Sequence, residues 1–271
     1  MYHRGHGGIM HMSRGAAAAA VVSVLILATI MSVVVGARSG RAVQASAPIV
    51  GATASPSERA APVMTYITKS KQVLLFGGYH LGFNAETWLY DVRTKAWKNM
   101  SPPAAPSGRA AFGMAYDAES NRVIMFGGIT TWYDFSNETW AYDPNTNTWT
   151  NMSPATSPPK LVGAPLVYDS RRDRVVLFGG HDPNGYVYSD TWTYDFNSNT
   201  WAKATPTVSP PPHVSHVLAY DVESDRVVLF GGQVEQAGTD GIDTWAYDAA
   251  NETWLEMKPN PWPTSGAFQA G

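Results

Sequence analysis

Residues 123–149 read VIMFGGITTWYDFSNETWAYDPNTNTW and carry every part of a pattern that recurs along the chain. An apolar run ends in a Gly-Gly pair, a Thr-Trp pair follows after a variable stretch, Tyr-Asp lies just beyond that Trp, and a second Trp stands six residues after the Asp. The pattern occurs four times, with steps of 50, 52 and 52 residues between successive Gly-Gly pairs, and it accounts for eight of the ten Trp. Such self-similarity indicates that one structural unit is repeated. The pairs are Gly77-Gly78, Gly127-Gly128, Gly179-Gly180 and Gly231-Gly232.

Within this unit the residue types favour four short β-strands. The run before Gly-Gly is apolar on both faces, which is typical of a strand enclosed between neighbouring sheets. Residues 139–142 alternate Thr, Trp, Ala, Tyr and so place both aromatic side chains on one face. Residues 143–147 read DPNTN, with Asp and Pro at the first two positions of a turn. The predicted strands of the second repeat are 109–116, 122–126, 138–142 and 149–152.

This combination of motifs resembles the kelch repeat, in which a hydrophobic run ending in Gly-Gly is followed by spaced Tyr-Asp and Trp residues. The resemblance covers residues 57–271 and implies a β-propeller similar to the central domain of galactose oxidase, with one four-stranded blade per repeat. We therefore predict an all-β fold, a kelch-type β-propeller of four four-stranded blades plus the start of a fifth. The predicted repeats are about 57–105, 106–157, 158–209 and 210–263, with 264–271 as the first strand of a fifth.

The number of repeats does not decide whether the blades form a closed ring. Four blades lie at the low end of the propeller range of about 4–8 blades. An incomplete or open ring exposes a wide apolar blade face, and such a face normally has a partner. Three alternatives fit the sequence: a truncated gene product, a strained four-blade ring, and two chains that complete a larger ring. The last alternative predicts self-association through an open propeller edge.

The composition excludes several classes of site. With no Cys, the chain has no disulfide, zinc–thiolate site or cysteine nucleophile. It also lacks the Cys that the copper-radical cofactor of galactose oxidase-like enzymes requires. A net charge of −3, with 15% charged residues, gives no basis for a nucleic-acid partner. The sequence has no recognised phosphate, nucleophile or metal motif, so we predict no cofactor, no metal and no catalytic residue.

The N-terminal 45 residues differ from the rest of the chain. They carry four Arg and no acid, and residues 16–36 form an uncharged, mostly apolar stretch of 21 residues. As a helix this stretch is about 31 Å long, enough to cross a bilayer. We predict that residues 1–45 are either a signal peptide, cleaved to leave Ser46 at the new N-terminus, or a membrane anchor. In both cases residues 46–56 are a linker and the propeller is extracellular.

The loops between Gly-Gly and the following Thr-Trp pair are the predicted recognition surface. Their lengths differ between repeats, and they carry aromatic residues that have no counterpart in the other repeats. Aromatic side chains on loops held by a rigid scaffold suit a protein partner or the face of a sugar, although they can also pack over the blade edges. The candidate ligand-binding residues are Tyr79, His80, Phe83, Trp132, Tyr133, His181, Tyr186 and Tyr188, with Arg59 and Arg109 at the start of the first strand.

The polar and aromatic residues that recur in every repeat are predicted to have structural roles. The recurrent Trp and Tyr residues are predicted to pack between blades, and the Asp after each Tyr to accept turn amides. The acidic residue before each Thr-Trp pair is interpreted as a solvated edge residue rather than a calcium ligand. His213 and His216 stand three residues apart, a spacing that places them on opposite faces of a strand and disfavours shared metal ligation.

Three functions are compatible with this sequence. The favoured one is a non-catalytic extracellular binding module that recognises a glycan or a protein through the variable loops. The alternative is a sugar-modifying enzyme similar to the kelch-like sialic-acid mutarotases, for which a carboxylate and an Arg would have to converge near the axis. The third is a structural or assembly role for an open arc of blades.

Overall fold

The computed structural model describes residues 55–234 and 243–258. Within these ranges the regular secondary structure is entirely β, and no helix there is long and apolar enough to cross a membrane. The predicted N-terminal hydrophobic helix, with its signal-peptide or anchor role, lies outside the described residues. So do most of the predicted linker and the predicted strand 264–271.

The strands form four antiparallel sheets of four strands, one for each sequence repeat. Blade 1 contains β1 (Val63–Ile67), β2 (Gln72–Phe76), β3 (Thr87–Asp91) and β4 (Ala96–Asn99). Blade 2 contains β5 (Gly113–Asp117), β6 (Arg122–Phe126), the short hairpin β7 (Ile129–Thr131) and β8 (Asp134–Phe135), β9 (Thr139–Asp143) and β10 (Thr148–Asn151). Blade 3 contains β11 (Leu166–Asp169), β12 (Arg174–Phe178), β13 (Thr191–Asp195) and β14 (Thr200–Lys203). Blade 4 contains β15 (His213–Val214), β16 (Val217–Asp221), β17 (Arg226–Phe230), β18 (Gln233–Val234), β19 (Thr244–Asp248) and β20 (Thr253–Met257).

The predicted all-β blade architecture is confirmed, with one clear difference at the first strand of the second repeat. In blade 2 the apolar strand β6 has the predicted bounds, whereas β5 begins at Gly113 instead of residue 109. Ala111 adopts φ of 53°, in the left-handed region, and interrupts the extended backbone before β5. Residues before the interruption bridge to the loop after β6, since Ala110 pairs with Ile129.

The Gly-Gly pairs let consecutive blades approach each other closely. Gly77 and Gly78 have φ of 71° and 97°, which Gly adopts without steric cost. A Cβ on Gly77 would collide with the carbonyl oxygen of Arg109 in the next blade. The amide of Gly78 donates a hydrogen bond of 2.8 Å to that same oxygen. The motif is therefore a backbone contact between blades and not a ligand cradle.

A repeated hydrogen bond joins each blade to the next. The indole Nε1 of Trp149 in β10 donates to Oγ1 of Thr87 in β3 over 3.0 Å, across the apolar interface between blades 1 and 2. Both groups are buried. We call this hydrogen bond, with the aromatic packing around it, the Thr–Trp joint. The other joints are Thr139 with Trp201 at 2.9 Å and Thr191 with Trp254 at 3.0 Å.

The recurrent Asp residues stabilise turns, as the sequence predicts. Oδ1 of Asp91 accepts hydrogen bonds of 2.9 Å from the amides of Arg93 and Thr94. The hydrogen bond from Thr94 is the main reason that the pKa of Asp91 lies below its ordinary value. Asp143 and Asp248 accept the equivalent turn amides in blades 2 and 4.

The four sheets form an arc that does not close within the described residues. The innermost strands lie side by side in chain order, with β1 beside β5, β5 beside β11 and β11 beside β16. Each internal blade is therefore covered on both faces. Among the described residues, blade 1 and blade 4 each have a neighbouring blade on one face only.

Candidate functional site

The loops between the second and third strands of blades 1, 2 and 3 form the variable surface, which we call the loop face. Tyr79 and Phe83 of blade 1 pack edge to face, with ring centroids 5.2 Å apart. Trp132 of blade 2 reaches over both rings, at 4.8 Å from Tyr79 and 5.5 Å from Phe83. The structure thus brings three predicted site residues from two blades into one aromatic cluster. The corresponding loop of blade 4, residues 235–242, lies outside the described residues.

Two further candidates project from the loop face into solvent. Tyr133, next to Trp132, is 94% exposed, and Tyr186 of blade 3 is 58% exposed. Tyr186 packs edge to face on Tyr188 with centroids 4.8 Å apart. Large aromatic side chains with this exposure are available to a partner without any rearrangement of the fold.

The blade 3 loop is held in shape by its own Asp. Oδ1 of Asp182 accepts the amides of Asn184 at 2.9 Å and Tyr186 at 3.0 Å. Partial burial, together with the neighbouring Asp182 carboxylate, raises the pKa of Tyr188 above its ordinary value. Tyr188 therefore remains a neutral phenol at physiological pH. The hydrogen bonds to Asp182 shape the turn that carries the exposed Tyr186.

His80 and His181 have different environments in the structure. His80 is half-buried in the blade 1 loop. The ring of His181 is buried and packs edge to face on Phe135, with centroids 5.4 Å apart. Burial lowers the pKa of His181 below its ordinary value, so the ring stays neutral. His181 supports the loop face from beneath and offers a ligand no exposed surface.

Arg59 and Arg109 are braces inside their blades. Nη2 of Arg109 lies 2.6 Å from Oε2 of Glu138, and Nη1 donates to the carbonyl oxygen of Gly127 at 3.0 Å. The side chain of Arg109 is fully buried. Arg59 makes the matching contacts in blade 1, including an ion pair of 2.7 Å with Glu86. Both guanidinium groups are therefore engaged by their own blades and are not free on the loop face.

In blades 1 and 2 the Glu before the Thr-Trp pair completes this brace. Oε2 of Glu138 also accepts the indole Nε1 of Trp140 at 3.0 Å. Burial acts to raise the pKa of Glu138, but the hydrogen bonds from Arg109 and Trp140 outweigh it and hold the pKa below its ordinary value. The interpretation of Glu86 and Glu138 as solvated edge residues is corrected: both are partly exposed, and both bind an Arg and an indole.

His213 and His216 do not lie on opposite faces of a strand. Ser215 adopts φ of 60° and turns the backbone between them, so the two rings come within 6.0 Å of each other. Nε2 of His213 lies 3.2 Å from Oδ1 of Asp243, which replaces the Arg–Glu brace of blades 1 and 2. His216 occupies the interface between blades 3 and 4, where its ring packs on Phe178.

One exposed apolar residue of the loop face is absent from the predicted set. Leu81 is exposed, and its backbone has φ of 55°. The predicted loop residues are all aromatic residues or histidines, and Leu81 is aliphatic. The sequence does carry an indication of its exposure: Leu81 is an aliphatic residue next to Gly82 in a loop, outside any predicted strand.

A shallow polar depression of about 210 Å³ lies beside the blade 2 loop. Nζ of Lys160 forms an ion pair of 2.8 Å with Oδ1 of Asp134 at its edge. The depression provides hydrogen-bonding groups next to the aromatic side chains of the same loop. Its lining residues are Ser107, Thr130, Asp134, Phe135, Ser136, Asn137, Glu138 and Lys160.

Curated relatives match short parts of the chain. An F-box/kelch-repeat protein of Arabidopsis thaliana is 34% identical over 92 residues, which is 31% of this chain and 19% of the relative. Adagio-like protein 1 of Oryza sativa subsp. japonica is 31% identical over 101 residues, which is 34% of this chain and 16% of the relative. A putative adagio-like protein 2 of the same plant is 32% identical over 101 residues, again 34% of this chain and 16% of the relative. The matched part of the chain thus spans less than a fifth of the length of these relatives.

A family model covers a much larger part. The model described as the Attractin/LZTR1 beta-propeller matches residues 73–268. This range contains all four Gly-Gly pairs and all three Thr–Trp joints. The chain therefore belongs to the Attractin/LZTR1 β-propeller family and is a kelch-type propeller, an architecture that points to a protein-binding module.

Proposed function

We propose that the loop face of this propeller recognises a protein partner. The observation that carries the proposal is the exposure of Tyr133 and Tyr186 on the loop face. Tyr and Trp are enriched among the residues that dominate binding energy at protein interfaces. Trp132, packed on Tyr79, provides a fixed apolar base beside Tyr133. The polar depression at Lys160 and Asp134 provides the hydrogen-bonding rim that such interfaces need.

A glycan is the alternative ligand for the same surface, because exposed aromatic rings also suit the apolar face of a sugar. The sialic-acid mutarotase alternative gains no support from the geometry. An Arg and a carboxylate do converge, at Arg109 with Glu138 and at Arg59 with Glu86. However, both Arg side chains are buried and bound to backbone carbonyl groups of their own blades.

Site-specific photocrosslinking tests the loop face. A benzophenone amino acid at position 133 or 186 is expected to capture one discrete protein in the native cells, whereas the same probe at position 222 captures none. Val222 is a matched control because it is 56% exposed and lies in a tight turn between β16 and β17. Tyr133→Ala is expected to weaken binding of the captured protein at least about tenfold, the equivalent of ~1.4 kcal/mol, whereas Val222→Ala leaves binding unchanged.

Equal capture at positions 133, 186 and 222 would contradict the proposal. A glycan array supplies the second arm of the experiment. Binding to an array sugar that Tyr133→Ala abolishes, without protein capture, would replace the protein partner by a glycan. Because Tyr133 and Tyr186 project into solvent, neither substitution is expected to alter folding.

We also propose that the propeller is exported and works outside the cytoplasm. The support is the basic N-terminal segment followed by the apolar stretch 16–36. Intact-mass measurement of the protein from the culture medium is expected to place the N-terminus at Ser46 if the segment is cleaved. An intact N-terminus in the membrane fraction would establish the anchor instead, and recovery of the full chain from the cytosol would contradict export.

A further inference from the structure

The end of the blades opposite the loop face, which we call the turn face, carries a basic patch on blade 1. In each antiparallel blade the turn between the first and second strands lies at the same end as the turn between the third and fourth. In blade 1 these turns are residues 68–71, Thr-Lys-Ser-Lys, and residues 92–95, Val-Arg-Thr-Lys. The strand ends beside them lie in one row, since Gln72 pairs with both Ile67 and Asp91. Because neighbouring strands are about 4.8 Å apart, the two turns are about 10 Å apart.

The charge of these turns distinguishes blade 1 from the other blades. The two turns hold four exposed cations and no acid, at Lys69, Lys71, Arg93 and Lys95. Among the described residues, Arg93 alone of the four has a carboxylate within ion-pair distance, at 3.9 Å from Asp91. Nζ of Lys69 donates to the backbone oxygen of Glu119, over 3.1 Å. The same turns of blade 4 hold three acids and no cation, at Glu223, Asp225 and Glu252.

Two of the four cations stand where the other blades use a different residue type. The last residue of each turn has a left-handed backbone, with φ of 58° at Lys71 and 56° at Lys95. Among non-Gly residues, Asn and Asp are strongly enriched in this conformation. Five of the six equivalent residues in blades 2, 3 and 4 follow this preference, namely Asn121, Asn147, Asp173, Asn199 and Asp225.

Each of those five side chains also accepts a hydrogen bond from a Tyr hydroxyl of the strand before the turn. Oδ1 of Asn121 accepts from Tyr116 over 2.8 Å, and the other four hydrogen bonds are equally short. Tyr66 and Tyr90 hold the donor positions in blade 1, but a Lys ammonium group has no acceptor. Blade 1 thus lacks two local hydrogen bonds at the positions where it has gained two charges. Such a departure from the local pattern points to a role outside the blade.

The form of the patch suits an extended anionic surface. Lys presents a compact charge on a flexible stem, without the rigid fork by which Arg recognises a single carboxylate or phosphate. The side chain of Val92, beside Arg93 at the tip of the second turn, is 52% exposed. One apolar residue among four cations is too little for the apolar core of a protein interface. Anionic lipid headgroups attract clustered Lys and Arg without requiring such a core.

The order of the chain is consistent with a nearby bilayer. Residues 16–36 are the predicted signal or anchor stretch, and 26 residues separate residue 36 from β1. A fully extended segment of this length spans at most about 90 Å. If residues 16–36 anchor the chain, blade 1 is within reach of the membrane surface. With the turn face toward the lipid, the loop face points away from the bilayer and stays accessible.

We propose that the basic patch of blade 1 docks the propeller on the headgroups of an anionic bilayer. The turn face lies against the lipid, the four cations attract the headgroups, and Val92 reaches the boundary of the acyl chains. This docking does not depend on the loop-face partner, which binds at the opposite end of the blades.

Fluorescence quenching in lipid vesicles tests the docking. Because the chain has no Cys, Val92→Cys creates a unique site for a thiol-reactive dye. In the full chain, this dye is expected to be quenched by a headgroup spin label in vesicles of phosphatidylcholine and phosphatidylglycerol mixed two to one. Vesicles of phosphatidylcholine alone should leave the dye unquenched. A dye on Tyr133→Cys, at the loop face, should stay unquenched in both kinds of vesicle.

A double variant tests the role of the cations. Lys71→Asn combined with Lys95→Asn installs the residue that blade 2 carries at both turn positions, so we expect the blade to fold normally, which urea unfolding verifies. Docking should weaken about thirtyfold, the equivalent of ~2 kcal/mol for two Lys at an anionic surface. Lys203→Asn combined with Lys258→Asn is the matched control. It removes the same charge from exposed Lys residues at the loop-face ends of blades 3 and 4 and should leave the quenching at position 92 unchanged.

Three results would overturn the proposal. The first is equal quenching at position 92 with and without phosphatidylglycerol, because anionic lipid would then not be what holds the patch. The second is equal quenching in the Lys71→Asn, Lys95→Asn chain and in the unmodified chain. The third is no quenching at position 92 in any vesicle. In that case, binding of soluble poly-glutamate that the double variant abolishes would assign the patch to an acidic protein instead.

Discussion

Replacing Trp201 by Ala is expected to lower the free energy of unfolding by about 3–5 kcal/mol, the usual cost of deleting a large buried aromatic side chain. The indole is buried at the interface of blades 2 and 3. It packs on Phe126 at 5.1 Å and on Tyr194 at 5.0 Å between ring centroids, and it donates to Thr139. The substitution removes this packing and leaves the hydroxyl of Thr139 without its partner.

Urea unfolding followed by circular dichroism measures this loss. Trp132→Ala is the matched control, because it removes the same side chain from the loop face, where the indole is partly exposed. We expect the control to cost about 1 kcal/mol or less, in the range of partly exposed positions. If the two variants were equally stable, the Thr–Trp joint would not be what holds the blades together.

Replacing His216 by Phe is expected to stabilise the protein, and to do so more strongly at acidic pH. His216 is buried, and in residues 55–234 and 243–258 neither ring nitrogen has a hydrogen-bond partner. Burial, with a smaller contribution from the neighbouring His213, lowers the pKa of His216 to about 3. The ring is therefore neutral in the folded state throughout the physiological range.

The sign of the pH effect follows from this lowered pKa. In the unfolded chain the pKa is about 6.5, so between pH 6.5 and 3 the unfolded state binds the proton and the folded state does not. The stability that depends on neutral His216 is complete above pH 6.5 and is lost as the pH falls toward 3. Each pKa unit corresponds to ~1.4 kcal/mol, so the loss reaches several kcal/mol.

Blade 2 supplies the template for this substitution. Phe112 occupies the repeat position of His216 and packs on Phe76 at 5.8 Å and 74°. His216 packs on Phe178 at 5.6 Å and the same angle. We expect His216→Phe to add about 1–3 kcal/mol at pH 7, because it removes unsatisfied buried nitrogens.

Unfolding free energies of both proteins at pH 4, 5 and 7 provide the measurement. The Asp and Glu titrations are common to the two proteins, and the difference between the profiles isolates His216. If the unfolding free energies of His216→Phe and of the unmodified protein changed with pH in parallel, His216 would not be a source of instability at acidic pH.

The local pattern of the repeat was sufficient to predict the blades. Strand β6 has the predicted bounds because a continuous apolar run between polar turns leaves little freedom for its ends. The placement of Trp149 and Tyr142 between blades was also predictable, because both recur at fixed spacing. The start of β5 was not predictable. It depends on the left-handed backbone of Ala111, and an Ala residue does not indicate that conformation.

The candidate site was predictable only in part, because its contacts join residues far apart in the chain. Exposure of Tyr133 and Tyr186 agrees with their selection as irregular loop aromatics. The brace between Arg59 and Glu86 spans 27 residues, and no local pattern indicates that the two side chains meet. His181 likewise has the sequence features of a loop ligand, yet its ring is buried against Phe135 of the preceding blade.

Hydrogen exchange at the indole groups tests the account most directly. In protein labelled with nitrogen-15 at Trp, the Nε1 hydrogens of Trp149, Trp201 and Trp254 should exchange slowly, since each is buried and donates to a Thr of the preceding blade. The Nε1 hydrogen of Trp132 on the loop face should exchange orders of magnitude faster. Comparable exchange rates for all four indoles would contradict the claim that Thr–Trp joints hold the arc of blades together.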